Sequence, residues 1–192
     1  NIKGDVAVIA TDNARRSLAT LSVNFYNNPS KKLKVIGITG TNGKTTTSFI
    51  IDSILSASGK KNGVIGTISY RFLGEEVESM RTTPEAPDLQ KIFSAMVEAG
   101  VEYCAMEVSS HSLFLDRVYG TNFDVGVFMN LTQDHLDFHG DEKEYFEAKL
   151  KLFTECGIKH AVVNIDDPYG KDICTRSSAE IITVGIETKG DI

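Results

Sequence analysis

The apolar run at residues 33–39, Leu-Lys-Val-Ile-Gly-Ile-Thr, leads into Gly40-Thr41-Asn42-Gly43-Lys44-Thr45-Thr46-Thr47 and then into Phe49, Ile50, Ile51, Ile54 and Leu55 at helical spacing. The pattern predicts a strand, a glycine-bearing loop and a buried helix over 45–58 that Gly59 closes. Upstream, Val6-Ala7-Val8-Ile9-Ala10 reads as a short strand and 13–26 as a helix that Asn27-Asn28-Pro29-Ser30 breaks. Downstream, strands are expected at 64–68, 101–108, 125–129 and 161–165, with helices over about 88–99, over 143–153 and near Pro168, and a last strand-like run at 180–184. Continuous apolar strands alternating with helices define the fold class: α/β, a mostly parallel sheet with helices on both faces and ligands beyond the carboxyl ends of its strands.

At 192 residues and 41% hydrophobic content the chain can bury one good core, and its net charge of −6 argues against a broad basic surface, so nucleic acid is not an expected partner. Cys104, Cys156 and Cys174 are odd in number and lack metal-site spacing, which fits buried, reduced thiols and a cytoplasmic location. No apolar stretch is long enough to span a bilayer, so no membrane association is expected. Asn1 in place of an initiator methionine and the stop at Ile192, just after a strand-like run, suggest a piece of a longer chain.

The loop after the first apolar strand reads as a phosphate-binding loop. Its glycines permit a tight turn whose amides converge on phosphate at the positive end of a helix dipole. In the general pattern the lysine, here Lys44, reaches the outer phosphates and the next hydroxyl, Thr45, binds Mg2+. The usual spacing would place the first glycine at position 38, which is Ile38, while Gly37 and Gly40 stand on either side, so the loop is a variant. Glu107 ends an apolar strand, where it can hold Mg2+ against nucleotide phosphates or simply close the strand in a salt bridge. Asp134, His135, Asp137 and His139 crowd the connection after the next strand, a spacing open to acid–base or metal chemistry and equally to plain solvation. Lys149 shares a helix face with Tyr145, Leu152 and Phe153, either as a functional amine or as a lysine snorkelling past apolar neighbours.

Taken together, the 40–45 loop, Thr82-Thr83-Pro84, Glu107-Val108-Ser109-Ser110-His111, Asn130 through Gly140 and Tyr145-x-x-Ala148-Lys149 resemble the Mur ligases of peptidoglycan synthesis, most closely the branch that adds a third residue. The resemblance runs from about Phe25-Tyr26 through Asn164-Ile165-Asp166-Asp167. It implies that 1–32 are the end of an amino-terminal domain and a linker, and that 33–192 are a central ATP-binding domain, cut short. It implies a monomeric ligase that joins a diamino acid, commonly meso-diaminopimelate or L-lysine, to UDP-N-acetylmuramoyl-L-alanyl-D-glutamate through an acyl phosphate. Folylpolyglutamate synthetases share this logic, and a phosphate-loop module without ligase activity or a small-metabolite kinase are the alternatives from other classes.

By the same resemblance Gly40, Thr41, Asn42, Gly43, Lys44, Thr45 and Thr46 hold ATP. Thr45 and Glu107 take one Mg2+, and His135 with a carbamylated Lys149 takes a second. Lys44, Glu107, His135 and Lys149 form the catalytic set. Thr82, Thr83, Ser109 and Arg117 bind the UDP-muramoyl-dipeptide. Carbamylation is chemically reasonable, because an ammonium repels a dication whereas a carbamate is an anionic oxygen ligand.

Overall fold

A computed structural model describes Val8 and residues 10–192. Helix α1 (Ala14–Phe25) starts at Asn13, whose side chain accepts from the Arg16 amide, and packs along α3 (Ala86–Glu98). The expected strand around Val6 to Ala10 lies mostly outside the described residues. After a 3-10 turn at Pro29–Lys32, the remaining elements in chain order are β1 (Lys34–Thr39), α2 (Lys44–Ala57), β2 (Asn62–Ile65), β3 (Ser69–Phe72), β4 (Glu75–Glu78), α3, β5 (Tyr103–Glu107), α4 (Ser110–Phe114), β6 (Val125–Phe128), α5 (Leu136–His139), α6 (Glu142–Thr154), β7 (His160–Asn164), α7 (Pro168–Arg176) and β8 (Glu180–Val184).

Eight strands form one sheet in the order β4-β3-β2-β5-β1-β6-β7-β8. All pairings are parallel except β2 with β3 and β3 with β4. The antiparallel hairpin was not expected: Leu73 and Gly74, both at positive φ (49° and 88°), make its two-residue turn. The run Glu75-Glu76-Val77-Glu78, acidic at three of its four positions, is exposed along its length and lacks the alternation that marks a strand in sequence. Strand β2 is also shorter than expected, because Gly66, Thr67 and Ile68 leave the sheet as a turn.

Alternate strand positions feed two cores, as a sheet covered on both faces requires. Val35, Ile65, Cys104, Met106 and Phe128 join Leu89, Phe93 and Met96 of α3, Leu150 and Phe153 of α6 and Ile173 of α7. On the other face Ile38, Ala105 and Val127 meet Ile51 of α2 in a much smaller cluster. This corrects the reading of α2 as a buried helix: only Ser48 is buried, while Ile50 and Ile54 are 53% and 60% exposed. The reason is that α2 is the lone helix on its face among the described residues, so its inner side rests on β1, β2 and β5 and its outer side has no cover. The cysteines are unpaired, Cys104 buried and the other two partly so.

Candidate active site at the carboxyl edge of the sheet

β1 lies between β5 and β6, so the connections that leave it diverge at its carboxyl end, the place where open α/β sheets bind ligands. The 40–45 loop occupies this point. Gly40 takes φ +152°, and a Cβ there would stand 2.8 Å from Met129 Cβ, so the loop can lie against the end of β6 only as glycine. Gly43, at φ 85°, is the N-cap of α2. The first amides of a helix lack intrahelical acceptors, which leaves those of Lys44, Thr45 and Thr46 as donors at this terminus.

Two other loop amides are already engaged. Thr41 N donates to Asn130 O and Asn42 N to Asn130 Oδ1, each at 2.9 Å, so these residues shape the loop through Asn130. The Lys44 ammonium folds back to donate to Gly40 O and Thr41 O, both at 2.9 Å. Burial lowers its pKa, with Glu107 and Asp134 pulling in the opposite direction.

From β5, Glu107 reaches the loop. Its Oε1 accepts from Thr45 Oγ1 at 2.9 Å and from Thr67 N at 2.8 Å, and its Oε2 accepts from Thr67 Oγ1 at 3.0 Å. A carboxylate and a hydroxyl oxygen side by side suit Mg2+, which typically takes one or two carboxylates and completes its shell with phosphate and water. Among the described residues no three His, Cys, Asp or Glu side chains gather as a metal cluster, so the donor set fits a metal shared with phosphate rather than one caged by protein. These groups line a hollow of about 260 Å3 that Thr82, Ser109 and His135 also border. Larger hollows, of about 550 and 530 Å3, lie away from the loop.

Both members of the second expected metal pair adjoin Tyr145. His135 sits at φ 52° on the loop before α5, its side chain half exposed and 3.5 Å from Asp134 Oδ2. Lys149 is 1% exposed on α6, donates to Gly40 O at 2.9 Å and stands over the Tyr145 ring at 4.3 Å. The ring of Tyr145 faces both, with His135 6.1 Å from it. Burial, and next the charge of Lys44, push the Lys149 amine down to about 7. His139 is buried, meets Ser110 Oγ at 2.9 Å and keeps an unpartnered Nδ1; burial first and neighbouring charge second bring it down to about 4.

Of the expected substrate contacts, Thr82 and Ser109 face the hollow. Thr83 does not: its buried hydroxyl donates to Glu107 O at 2.8 Å and accepts from Ser109 N at 3.1 Å, tying two loops together. Arg117 is nearly buried, donating to Thr83 O at 3.3 Å and pairing with Glu85 at 2.9 Å. Thr67 was absent from the expected set. The signal available was a Gly-Thr pair directly after an apolar strand, a position the 64–68 strand reading concealed.

The strand, loop and helix with Lys44, and a strand-end carboxylate on the hydroxyl that follows it, define a phosphate-loop nucleotide-binding α/β domain. Residues 38–192 match the profile of the Mur ligase middle domain, and the chain belongs to the Mur ligase family. It is 50% identical over 196 residues to the UDP-N-acetylmuramoyl-L-alanyl-D-glutamate--2,6-diaminopimelate ligase of Clostridium perfringens, covering 100% of this chain and 40% of the relative. The ligase of the same name from Bacillus cereus is 50% identical over 195 residues, 98% of this chain and 40% of its own length. The chain thus spans about two fifths of the curated relatives it matches. A solved structure of such a ligase superposes with a TM-score of 0.83 at 28% identity over 94% of this chain and 38% of the other. E. coli FolC in complex with DHPP and ADP gives 0.66 at 24% over 92% and 48%, a likeness of fold alone.

Proposed function

We propose that this chain is the nucleotide-binding part of an ATP-dependent ligase that adds diaminopimelate to UDP-N-acetylmuramoyl-L-alanyl-D-glutamate in the cytoplasm, with residues 33–192 as the ATP-binding unit and 1–32 leading into it. The observation that carries the reading is the Thr45–Glu107 contact beside Lys44, on a chain half identical to the Clostridium perfringens ligase. In the reaction a substrate carboxylate oxygen attacks the terminal phosphorus of ATP, the bond to ADP breaks and an acyl phosphate forms. An amine of the diamino acid then attacks the acyl carbon, phosphate leaves and an amide remains.

The amides of Lys44, Thr45 and Thr46 and the Lys44 ammonium hold the phosphates in line and offset the charge that develops on them. Mg2+, held by Thr45 and Glu107, would supply further neutralisation of the phosphoryl oxygens. Thr82 and Ser109, which line the hollow, are the proposed contacts of the sugar-nucleotide, with Arg117 behind them on Thr83 O. His135 and a carbamylated Lys149 are the proposed second metal ligands. An amine at about 7 is substantially neutral at physiological pH, the form that adds to carbon dioxide, and both side chains adjoin the Tyr145 ring.

The test replaces the matching segment of the Clostridium perfringens ligase with this chain and follows ATP-dependent tripeptide formation by mass spectrometry. Lys44→Ala is expected to lower turnover by orders of magnitude. Near-normal turnover of that variant overturns the reading, and phosphorylated substrate without amide formation favours a kinase.

A further inference from the structure

Thr67 gives Glu107 two of its three hydrogen bonds, one to each carboxylate oxygen: backbone N to Oε1 at 2.8 Å and Oγ1 to Oε2 at 3.0 Å. The residue before it leaves the space for this. A Cβ on Gly66 would collide with Glu107 Oε1 and stand 3.2 Å from the carboxyl carbon, so the Gly66-Thr67 turn is shaped around the carboxylate. The Thr67 hydroxyl also lies 3.0 Å from Thr82 Oγ1. A carboxylate oxygen only accepts and a hydroxyl has a single hydrogen, so Thr67 donates to Glu107 and Thr82 must donate to Thr67. The three side chains form a directed relay, Thr82 to Thr67 to Glu107, along the wall of the hollow that also holds the phosphate loop.

We propose that Thr67 is a positioning residue that holds the Glu107 carboxylate against Thr45 for Mg2+ and links it, through Thr82, to the substrate side of the hollow. The inference rests on the reading above that Glu107 and Thr45 serve Mg2+. Without the Thr67 hydroxyl, Oε2 has no protein donor among the described residues and the carboxylate is free to rotate about its terminal torsion, where side-chain wells are broad. Orienting groups behind a metal ligand commonly change metal affinity 10- to 100-fold. The relay also fixes the character of Thr82: its hydrogen is committed, so it meets a ligand as an acceptor and favours a hydroxyl or amide N–H over a bare oxyanion.

The experiment measures ATP binding by calorimetry across a Mg2+ series for the wild-type protein and for Thr67→Val, Thr67→Ser and Glu107→Gln, with ATP binding in chelator and the melting temperature as controls for folding. Thr67→Val is expected to raise the Mg2+ midpoint about 10-fold or more while leaving metal-free binding unchanged and the protein folded at the temperature of the titration, with melting lowered by the loss of one buried hydrogen bond. Thr67→Ser, which keeps the hydroxyl, restores the wild-type midpoint. An unchanged midpoint in Thr67→Val, or a Ser variant as impaired as the Val variant, overturns the role of Thr67. If Glu107→Gln leaves the Mg2+ dependence intact, or the wild-type protein has none, the reading of Glu107 beneath it fails instead.

Discussion

Gly66 and Glu107 are packed so closely that no side chain fits between them: a Cβ on Gly66 would lie inside contact distance of Glu107 Oε1. The glycine is a spatial requirement, since the carboxylate must pass it to reach Thr45 Oγ1 at 2.9 Å. Gly66→Ala is therefore expected to push the carboxylate off Thr45. Overpacking of this kind costs about 1–3 kcal/mol. Denaturant unfolding should register that loss, and the Mg2+ midpoint for ATP binding should rise in parallel. A variant with wild-type stability and an unchanged midpoint would show that the carboxylate is not confined there.

Asp167 joins two parts of the site. One oxygen accepts from Tyr169 N at 2.9 Å and caps α7, and the other accepts from Leu131 N at 2.7 Å, where the His135 loop begins. Asp167→Ala should cost about 1–2 kcal/mol from the cap alone. Amide hydrogen exchange over 131–139 should also quicken, because the loop loses its tether. Exchange that changes only in α7 would confine Asp167 to capping.

The proposed carbamylation of Lys149 can be tested directly. With 13C-labelled bicarbonate the protein should give a carbamate carbon signal that Lys149→Arg abolishes, because guanidinium stays protonated. With the amine near 7, the neutral form grows as pH rises through that value and is depleted below it. The signal should therefore strengthen as pH is raised from 6 to 8. Its absence at every pH would remove Lys149 from the metal site.

Asp166 accepts from the amides of Ile186, Glu187 and Thr188, and these bonds hold its carboxyl at about 2. A depressed carboxylate contributes stability that is present above its unfolded value near 3.8 and lost as pH falls toward 2. Asp166→Asn should flatten that acid limb in thermal melts and speed hydrogen exchange at 186–188. An acid limb identical to wild type would assign it to other carboxylates.

The phosphate loop was legible because its chemistry is local: glycines, lysine and hydroxyl are consecutive, and their strand–loop–helix setting is written in the adjoining apolar runs. The resemblance also named Glu107, which the structure brings to Thr45, and Lys149, which the structure buries. The β3–β4 hairpin was missed because its second strand is acidic at every position but Val77, and α4 and α5 because at five and four residues they complete too few turns to show a period. Exposure of α2 was misread for a different reason. An apolar helix looks the same in sequence whether one or both of its sides find a partner.

The sequence by itself determined the alternation of strand and helix, the phosphate loop and its place after β1, because these depend on neighbours within a few residues. Only the tertiary structure decided which polar groups share a carboxylate. Thr45, Thr67 and Glu107 belong to three separate segments, and parallel pairing of β5 with both β1 and β2 sets their carboxyl ends side by side. It also decided that Thr83 is spent on the scaffold while Thr82, its immediate neighbour, faces the hollow. That distinction rests on where each hydroxyl's one hydrogen goes, which depends on the acceptor that folding brings within reach.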